Sequence, residues 1–362
     1  MTWIPHSLWR RRGNLPPLHY HEALIEVGSP VEVAPDVVLL RLPLPFALDH
    51  VNVYLLRDDL GWTIVDCGLD TPVARRIWDS VLDSALIDGQ IIRQIIVTHH
   101  HPDHVGLAGW LAARCGAAVH MTTEEAEAVT RYSDPRRDAV AERAPLWHEH
   151  GLPADLARTL MQHMPRYDLQ VHALPTNVQA IDTTRMLEMG GRRWKPLIGH
   201  GHSPQHLSLL AEDGSIMIGG DQVLPKITPN IAVWPGGDSN PLRSYLASLK
   251  TFEAVAPEAL LLPSHKQPLW GISCRVEQIR SHHESRLSTV MTTLNTSRPS
   301  SMTGYDLLEC LFGRALKAEE IGFGLGEAIA HLNFLEGELA IESELDSSGR
   351  RHFRPRLESS VN

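Results

Sequence analysis

The chain has only four cysteines, Cys67, Cys115, Cys274 and Cys310, and none of them forms a C-x-x-C pair. That scarcity excludes a zinc ribbon and a disulfide framework and points to a reduced setting. No apolar run reaches transmembrane length, and the segment with Trp3, Trp9 and Arg10-Arg11-Arg12 leads into no apolar stretch of signal-peptide length. A cytoplasmic protein with no membrane partner is therefore the expectation. Positive charge is also in deficit: 33 Lys and Arg face 43 Asp and Glu, a net charge of -10, which argues against a general binder of polyanions. No internal repeat is visible.

What remains is an ordinary globular composition, 43% hydrophobic and 21% charged, over 362 residues. A length of this order suits one large domain with a smaller appendage. Residues 1–30 are rich in Pro, Arg and His with weak periodicity and read as an N-terminal arm laid on the surface or on a partner subunit. From Val31, strand-like runs follow at Val37–Leu40, Val51–Leu56 and Trp62–Asp66, then an amphipathic helix over Thr71–Ala85 and a buried strand over Ile91–Val97. A helix from Val105 and a strand at Ala117–His120 continue the alternation.

Residues 122–168 interrupt it with a charged helical insertion, read as covering a site, that holds Tyr132, Trp147, His148, His150, Met161, His163 and Met164. Strands resume at Arg193–Ile198, Leu207–Ala211 and Ser215–Ile218, with a helix over 241–256 and a short buried strand at Ala259–Pro263. A boundary near 270 separates a catalytic domain, 31–270, from a C-terminal domain, 271–362, made of helices and a hairpin from Leu339 to Phe353.

The chemistry concentrates in Thr98-His99-His100-His101-Pro102-Asp103-His104, which sits on the turn after the Ile91–Val97 strand. An H-x-H-x-D-H spacing on a strand-to-helix turn lets side chains converge. Imidazole suits zinc-like ions and a carboxylate suits a harder or second ion, so the alternation points to two ions side by side. Histidines that merely solubilise a loop are the bland alternative, but this run is internal and flanked by apolar structure. His100, between two ligand positions, should point the other way and is set aside as a bystander. Further candidates stand where later strands stop: Gly201-His202-Ser203-Pro204-Gln205-His206, Gly219-Gly220-Asp221, Pro263-Ser264-His265 and the earlier Val65-Asp66-Cys67-Gly68. Each is weak alone, and the ordered set is strong.

In that order the motifs resemble the metallo-beta-lactamase fold superfamily over about residues 35–270. The resemblance implies an α/β fold, a four-layer αββα sandwich, and a hydrolase with two divalent ions, zinc first, with iron or manganese compatible. It makes His99, His101 and His202 ligands of one ion, Asp103, His104 and His265 ligands of the other, and Asp221 the bridge. Asp66 then supports a ligand histidine, and His206, the second histidine of the G-H-x-x-x-H loop, is a supporting residue. The implied mechanism is attack by a metal-bridging hydroxide, with Asp103 aiding proton transfer to the leaving group.

Asp221 stands where antibiotic-degrading members of the fold carry other residues such as cysteine, so the chain does not read as a true beta-lactamase. The ligand set is similar to that of hydroxyacylglutathione hydrolases, a glyoxalase-II-like set, and equally to lactonases and nucleases. Leu224 occupies the position where lactonases of this fold often place a tyrosine. The tail resembles the winged-helix-like module of a branch that includes a mammalian endoribonuclease. Yet residues 271–362 hold 10 Lys and Arg against 13 Asp and Glu, which disfavours nucleic acid. The favoured substrate is a small ester, thioester or related carbonyl compound. Two alternatives stand: a nuclease or phosphodiesterase acting on RNA or single-stranded DNA, and a metal-containing sensing or interaction module. A homodimer is compatible with the tail. His148, His150 and His163 could reach the site, or could be surface histidines of a helical lid.

Overall fold

The computed structural model describes residues 15–163, 166–296 and 301–356. Trp3, Trp9, Arg10-Arg11-Arg12 and Met164 lie outside the described residues, as does the side chain of His163.

In the arm, β1 (His19–Tyr20) is a short strand. Then β2 (Val31–Ala34), β3 (Val37–Pro43), β4 (His50–Asp58), β5 (Gly61–Val65), β6 (Ile92–Ile96), β7 (Ala118–Met121) and β8 (Gln179–Ala180) form one seven-stranded sheet in that order. It is antiparallel from β2 to β5 and parallel from β5 to β8. The parallel crossovers carry α1 (Pro72–Leu82), then α2 (Pro102–Val105) and α3 (Ala108–Cys115), and, between β7 and β8, α4 (Thr123–Tyr132), α5 (Ala139–Glu149) and α6 (Ala154–His163). The second sheet runs β1, β14 (Leu269–Trp270), β13 (Leu260–Pro263), β12 (Ile216–Gly220), β11 (His206–Ala211), β10 (Arg192–Gly199) and β9 (Leu187–Met189). Between β12 and β13 lies α7 (Pro241–Glu253).

The period-two alternation of a strand decides the layers. Val37 and Leu39 of β3 point into the core between the sheets, which also takes Trp194, Leu207, Leu209, Ile218 and Leu262 from the second sheet. Val38 and Leu40 point the opposite way, against Ala74, Trp78 and Val81 of α1 and Leu111 of α3. A strand buried on both faces needs helices outside it, and the second sheet has them too: Leu197, Met217 and Leu261 pack on Leu242, Leu246 and Leu249 of α7. The result is the αββα sandwich anticipated from the motifs. Beyond β14 come α8 (Ile272–Thr296), α9 (Leu308–Phe312), α10 (Ala318–Gly337) and an antiparallel hairpin, β15 (Ile341–Leu345) with β16 (Arg351–Pro355). No helix among the described residues is long and apolar enough to cross a membrane.

Candidate metal centre

One edge of the sandwich collects the chemistry, because the turns leaving β5, β6, β10, β12 and β13 all open there. After β6, the chain makes a short extended run and enters α2 with His101 at the N-cap and Pro102 at the first helical position, where its fixed φ suits a helix start. That single turn displays Asp103 and His104 beside His99. The β10–β11 turn supplies His202, the end of β12 supplies Asp221, and His265 follows β13. Gly220 precedes Asp221 at φ 53, and a Cβ there would lie 2.6 Å from Nε2 of His206. Only glycine fits this approach.

Three overlapping groups result. The ligand atoms of His99, His101 and His202 lie within 4.8 Å of one another, as do those of Asp103, His104 and His265, and those of His99, His104 and Asp221. The carboxylate of Asp221 reaches both sides: Oδ2 is 3.4 Å from Nε2 of His202, and Oδ1 is 3.3 Å from Nε2 of His265 and 3.6 Å from Nε2 of His104. His99, His104, His265 and Asp221 are buried, whereas His101, Asp103 and His202 are half-buried and mark the open side.

The surrounding acceptors fix where the protons are. Nδ1 of His202 donates to the carbonyl of Asn230 at 3.0 Å, and Nδ1 of His265 to the carbonyl of His50 at 2.7 Å. Nδ1 of His104 donates to Oδ2 of Asp66 at 2.8 Å. Thr98 gives its hydroxyl proton to the same carboxylate, so its oxygen accepts from Nδ1 of His99 at 3.0 Å. All four imidazoles therefore turn a bare Nε2 inward. Nε2 of His99 is 3.2 Å from Nε2 of His202 and 3.0 Å from Nδ1 of His101. Two lone pairs at 3.2 Å repel unless a cation lies between them. Nε2 of His104, Nε2 of His265 and Oδ1 of Asp221 are buried without a hydrogen-bond partner, a costly arrangement that a metal ion relieves.

The electrostatics agree. Burial, with His104 and His101 alongside, holds His99 well below the ordinary histidine range. Burial and His202 do the same for His101. Burial opposes charge on His104 and His265 as well, yet both are raised, His104 by Asp103, Asp221 and Asp66 and His265 by Asp221 and Asp103. Asp221 is held well below the carboxylate range by His265 and His104 in spite of its burial. His99 and His101 are thus held neutral, while His104 and His265 face the concentrated negative charge of Asp103 and Asp221, the field that would also attract a cation.

His206 takes no part in these groups. Its Nε2 accepts the backbone N–H of Asp221 at 3.0 Å, which fixes the turn that carries the carboxylate. Asp66, at φ 62, accepts from the N–H and hydroxyl of Thr98 and from His104 and touches no other member of the cluster. His148 and His150 point elsewhere: Nε2 of His148 meets the carbonyl of Ser348, and the His150 ring stacks on Phe353, both in the terminal hairpin. Trp147 is buried in the core shared with that tail.

His100 does face away from the cluster, but it is no bystander. Its N–H and Nδ1 meet Oε2 of Glu125 at 2.9 and 2.6 Å, and its ring stacks on Tyr132. Oε1 of the same carboxylate takes the hydroxyl of Ser203 at 2.5 Å and the N–H of Gln205 at 2.8 Å. Glu125 thus clasps the turn bearing His99 and His101 to the turn bearing His202. Burial opposes its charge, yet these donors hold it at about 2. No local motif sets Glu125 apart from the other two acids of Thr-Glu-Glu-Ala-Glu. Its spacing to Ala128 and Val129, i+3 and i+4, does place it on the apolar stripe of α4, which marks it as a buried acid.

The sequence matches the metallo-beta-lactamase superfamily over residues 47–265 and the metallo-beta-lactamase-like, C-terminal domain family over residues 287–356. It is 27% identical over 322 residues to the probable metallo-hydrolase YqjP of Bacillus subtilis (strain 168), covering 85% of this chain and 94% of that one. A solved beta-lactamase domain protein from Burkholderia ambifaria is 34% identical, with a TM-score of 0.86 over 94% of this chain and 98% of the other. A metallo-beta-lactamase family protein from Thermus thermophilus is 27% identical, with a TM-score of 0.75 over 90% of this chain and 100% of its own.

Proposed function

The chain belongs to the metallo-beta-lactamase superfamily, and from that premise we propose that it is a metal-dependent hydrolase of a small ester, thioester or related carbonyl substrate, working with two divalent ions. The carrying observation is the pair of bare Nε2 atoms of His99 and His202 at 3.2 Å, with the partnerless Nε2 atoms of His104 and His265 beside Asp221. His99, His101 and His202 would hold one ion, Asp103, His104 and His265 the other, and Asp221 would serve both. The mixed nitrogen and oxygen donor set suits zinc and tolerates iron or manganese. When bound, such a pair supplies acidified water as nucleophile and polarises the scissile carbonyl.

The protein's own groups do the rest. Asn230, His50, Thr98 and Asp66 keep the Nδ1 protons turned outward, so that donor nitrogens stay bare. Asp103 is the most accessible carboxylate of the cluster, its side chain 20% exposed against 9% for Asp221 and 3% for Asp66. Its carboxylate oxygen is the atom through which a proton can pass to a departing alkoxide or thiolate. The net charge of -10 favours a small substrate over RNA or DNA. The probable metallo-hydrolase name of the Bacillus relative supports the same reaction class.

The test is a panel of thioesters, lactones, aryl esters, phosphodiesters and RNA presented to metal-loaded protein, with Asp103→Ala alongside. The expected result is turnover among the carbonyl esters and a collapse of kcat in the variant. A variant equal to the parent on every active substrate sinks the role of Asp103, and activity confined to phosphodiesters or RNA sinks the substrate class.

A further inference from the structure

Behind the wall that supports His202 lies a second feature. A cavity of about 420 Å³ is lined by Lys226, Thr228, Asn230, Arg275, His282, Arg286 and Glu327, among others. Asn230 belongs to both places: its carbonyl fixes Nδ1 of His202, and the residue lines the cavity. Asn230 and the His202 ring therefore link the cavity to the metal centre.

The charges lining it do not cancel. Arg286 is paired with Glu327. Arg275 is buried, but its guanidinium meets only neutral acceptors, the carbonyl of Leu224 at 2.6 Å, the carbonyl of Ile227 at 2.7 Å and the side-chain oxygen of Gln278 at 3.1 Å. Lys226 sits with its ammonium 5.0 Å from the centre of the Tyr20 ring. Neither Lys226 nor Arg275 forms an ion pair among the described residues. A chain of net charge -10 thus keeps two uncompensated cations around one concave space. Nε2 of His282 is buried there without a hydrogen-bond partner.

The backbone is also set at a cost. Lys226 has φ 61, and the N–H of Ile227 bonds the carbonyl of Pro225 at 2.6 Å across it. That is a γ-turn of positive φ, the rarer and strained form, at a residue with a long side chain. Arg275 holds the turn from both sides through the carbonyls of Leu224 and Ile227. A lysine constrained in this way is placed, not merely tolerated.

We propose that this cavity is an anion subsite that takes a compact oxyanion, a carboxylate or phosphate, on the part of the substrate remote from the scissile carbonyl. Lys226 is the contact residue, Arg275 positions it and adds its field, and Arg286 with His282 completes the wall. This rests on the hydrolase reading for the identity of the anion's carrier, whereas anion binding itself does not.

The test uses full-length, metal-loaded protein titrated calorimetrically with sulfate and, separately, with acetate, so that the two arms tell a phosphate-like from a carboxylate guest. Lys226→Gly removes the ammonium while glycine accepts the positive φ, so the variant should fold with an unchanged or higher Tm. Its affinity for the favoured anion should fall about tenfold or more, and Lys195→Gln, on the exposed face of β10, should bind as the parent does. In turnover, the ratio of kcat/KM for a carboxylated over a matched neutral ester should drop with it. Anion binding that survives Lys226→Gly within twofold, or no binding by the parent, overturns the subsite. Binding that depends on Lys226 in a protein that hydrolyses no ester overturns the substrate reading and leaves the subsite standing.

Discussion

Nδ1 of His104 and Oδ2 of Asp66 are 2.8 Å apart, and this one bond ties a left-handed residue at the end of β5 to an imidazole whose other nitrogen, Nε2, faces the metal centre. The other oxygen of Asp66 receives the N–H of Thr98, whose hydroxyl in turn receives His99. A single carboxylate therefore orients one imidazole from each half of the cluster.

Asp66→Asn should keep the fold, because asparagine also tolerates a positive φ. It replaces an acceptor with an N–H facing donors. Metal affinity should fall by about 10- to 100-fold, measured by competition with a chromophoric chelator. Affinity equal to that of the parent would show that His104 and His99 are oriented by something else.

Glu125 gives a pH dependence with a definite sign. Its pKa falls on folding from 4.5 to about 2, so its contribution is complete above the unfolded value and is lost as pH drops from 4.5 toward 2. The shift corresponds to about 3 kcal/mol. Metal-free Glu125→Gln should be less stable than metal-free parent at neutral pH, and the two should converge on acidification. Parallel stability curves in urea at pH 7 and pH 3 would contradict this.

Trp78 is buried in α1, and its indole N–H donates to the carbonyl of Cys67, next to Asp66, at 2.8 Å. Trp78→Phe retains an apolar ring but leaves that buried carbonyl without its donor. Stability should drop by about 1–3 kcal/mol. Equal denaturation midpoints would show that the bond adds nothing.

Stripping metal should lower Tm, and adding zinc should restore it, rising with the logarithm of free zinc above Kd, since ions that bind only the folded chain stabilise it by about 2.7 kcal/mol at one hundred times Kd. Calorimetry with parallel metal analysis measures this. Saturation at one equivalent would remove the second ion from the proposal.

Much of this was readable beforehand because the decisive signals are local. β3, β4 and β11 are mainly apolar runs, and His99 to His104 converge within one turn. Strands of two to four residues, β1, β2, β8, β9 and β14, were not read because pairing alone makes them. The clasp at Glu125 was hidden for a related reason: its four donors come from residues 25 to 80 positions away, and only the folded chain assembles them. The same holds for His148 and His150, whose partners lie in a hairpin about 200 residues later.

The tail matches a sequence family of its own, yet Val276, Leu287, Leu325 and Phe334 from it share one core with Met217, Leu246, Leu249 and Leu261 of the sandwich. Two family matches thus share a single interior: removing the tail would open the apolar face of α7 and the sheet beneath it to water.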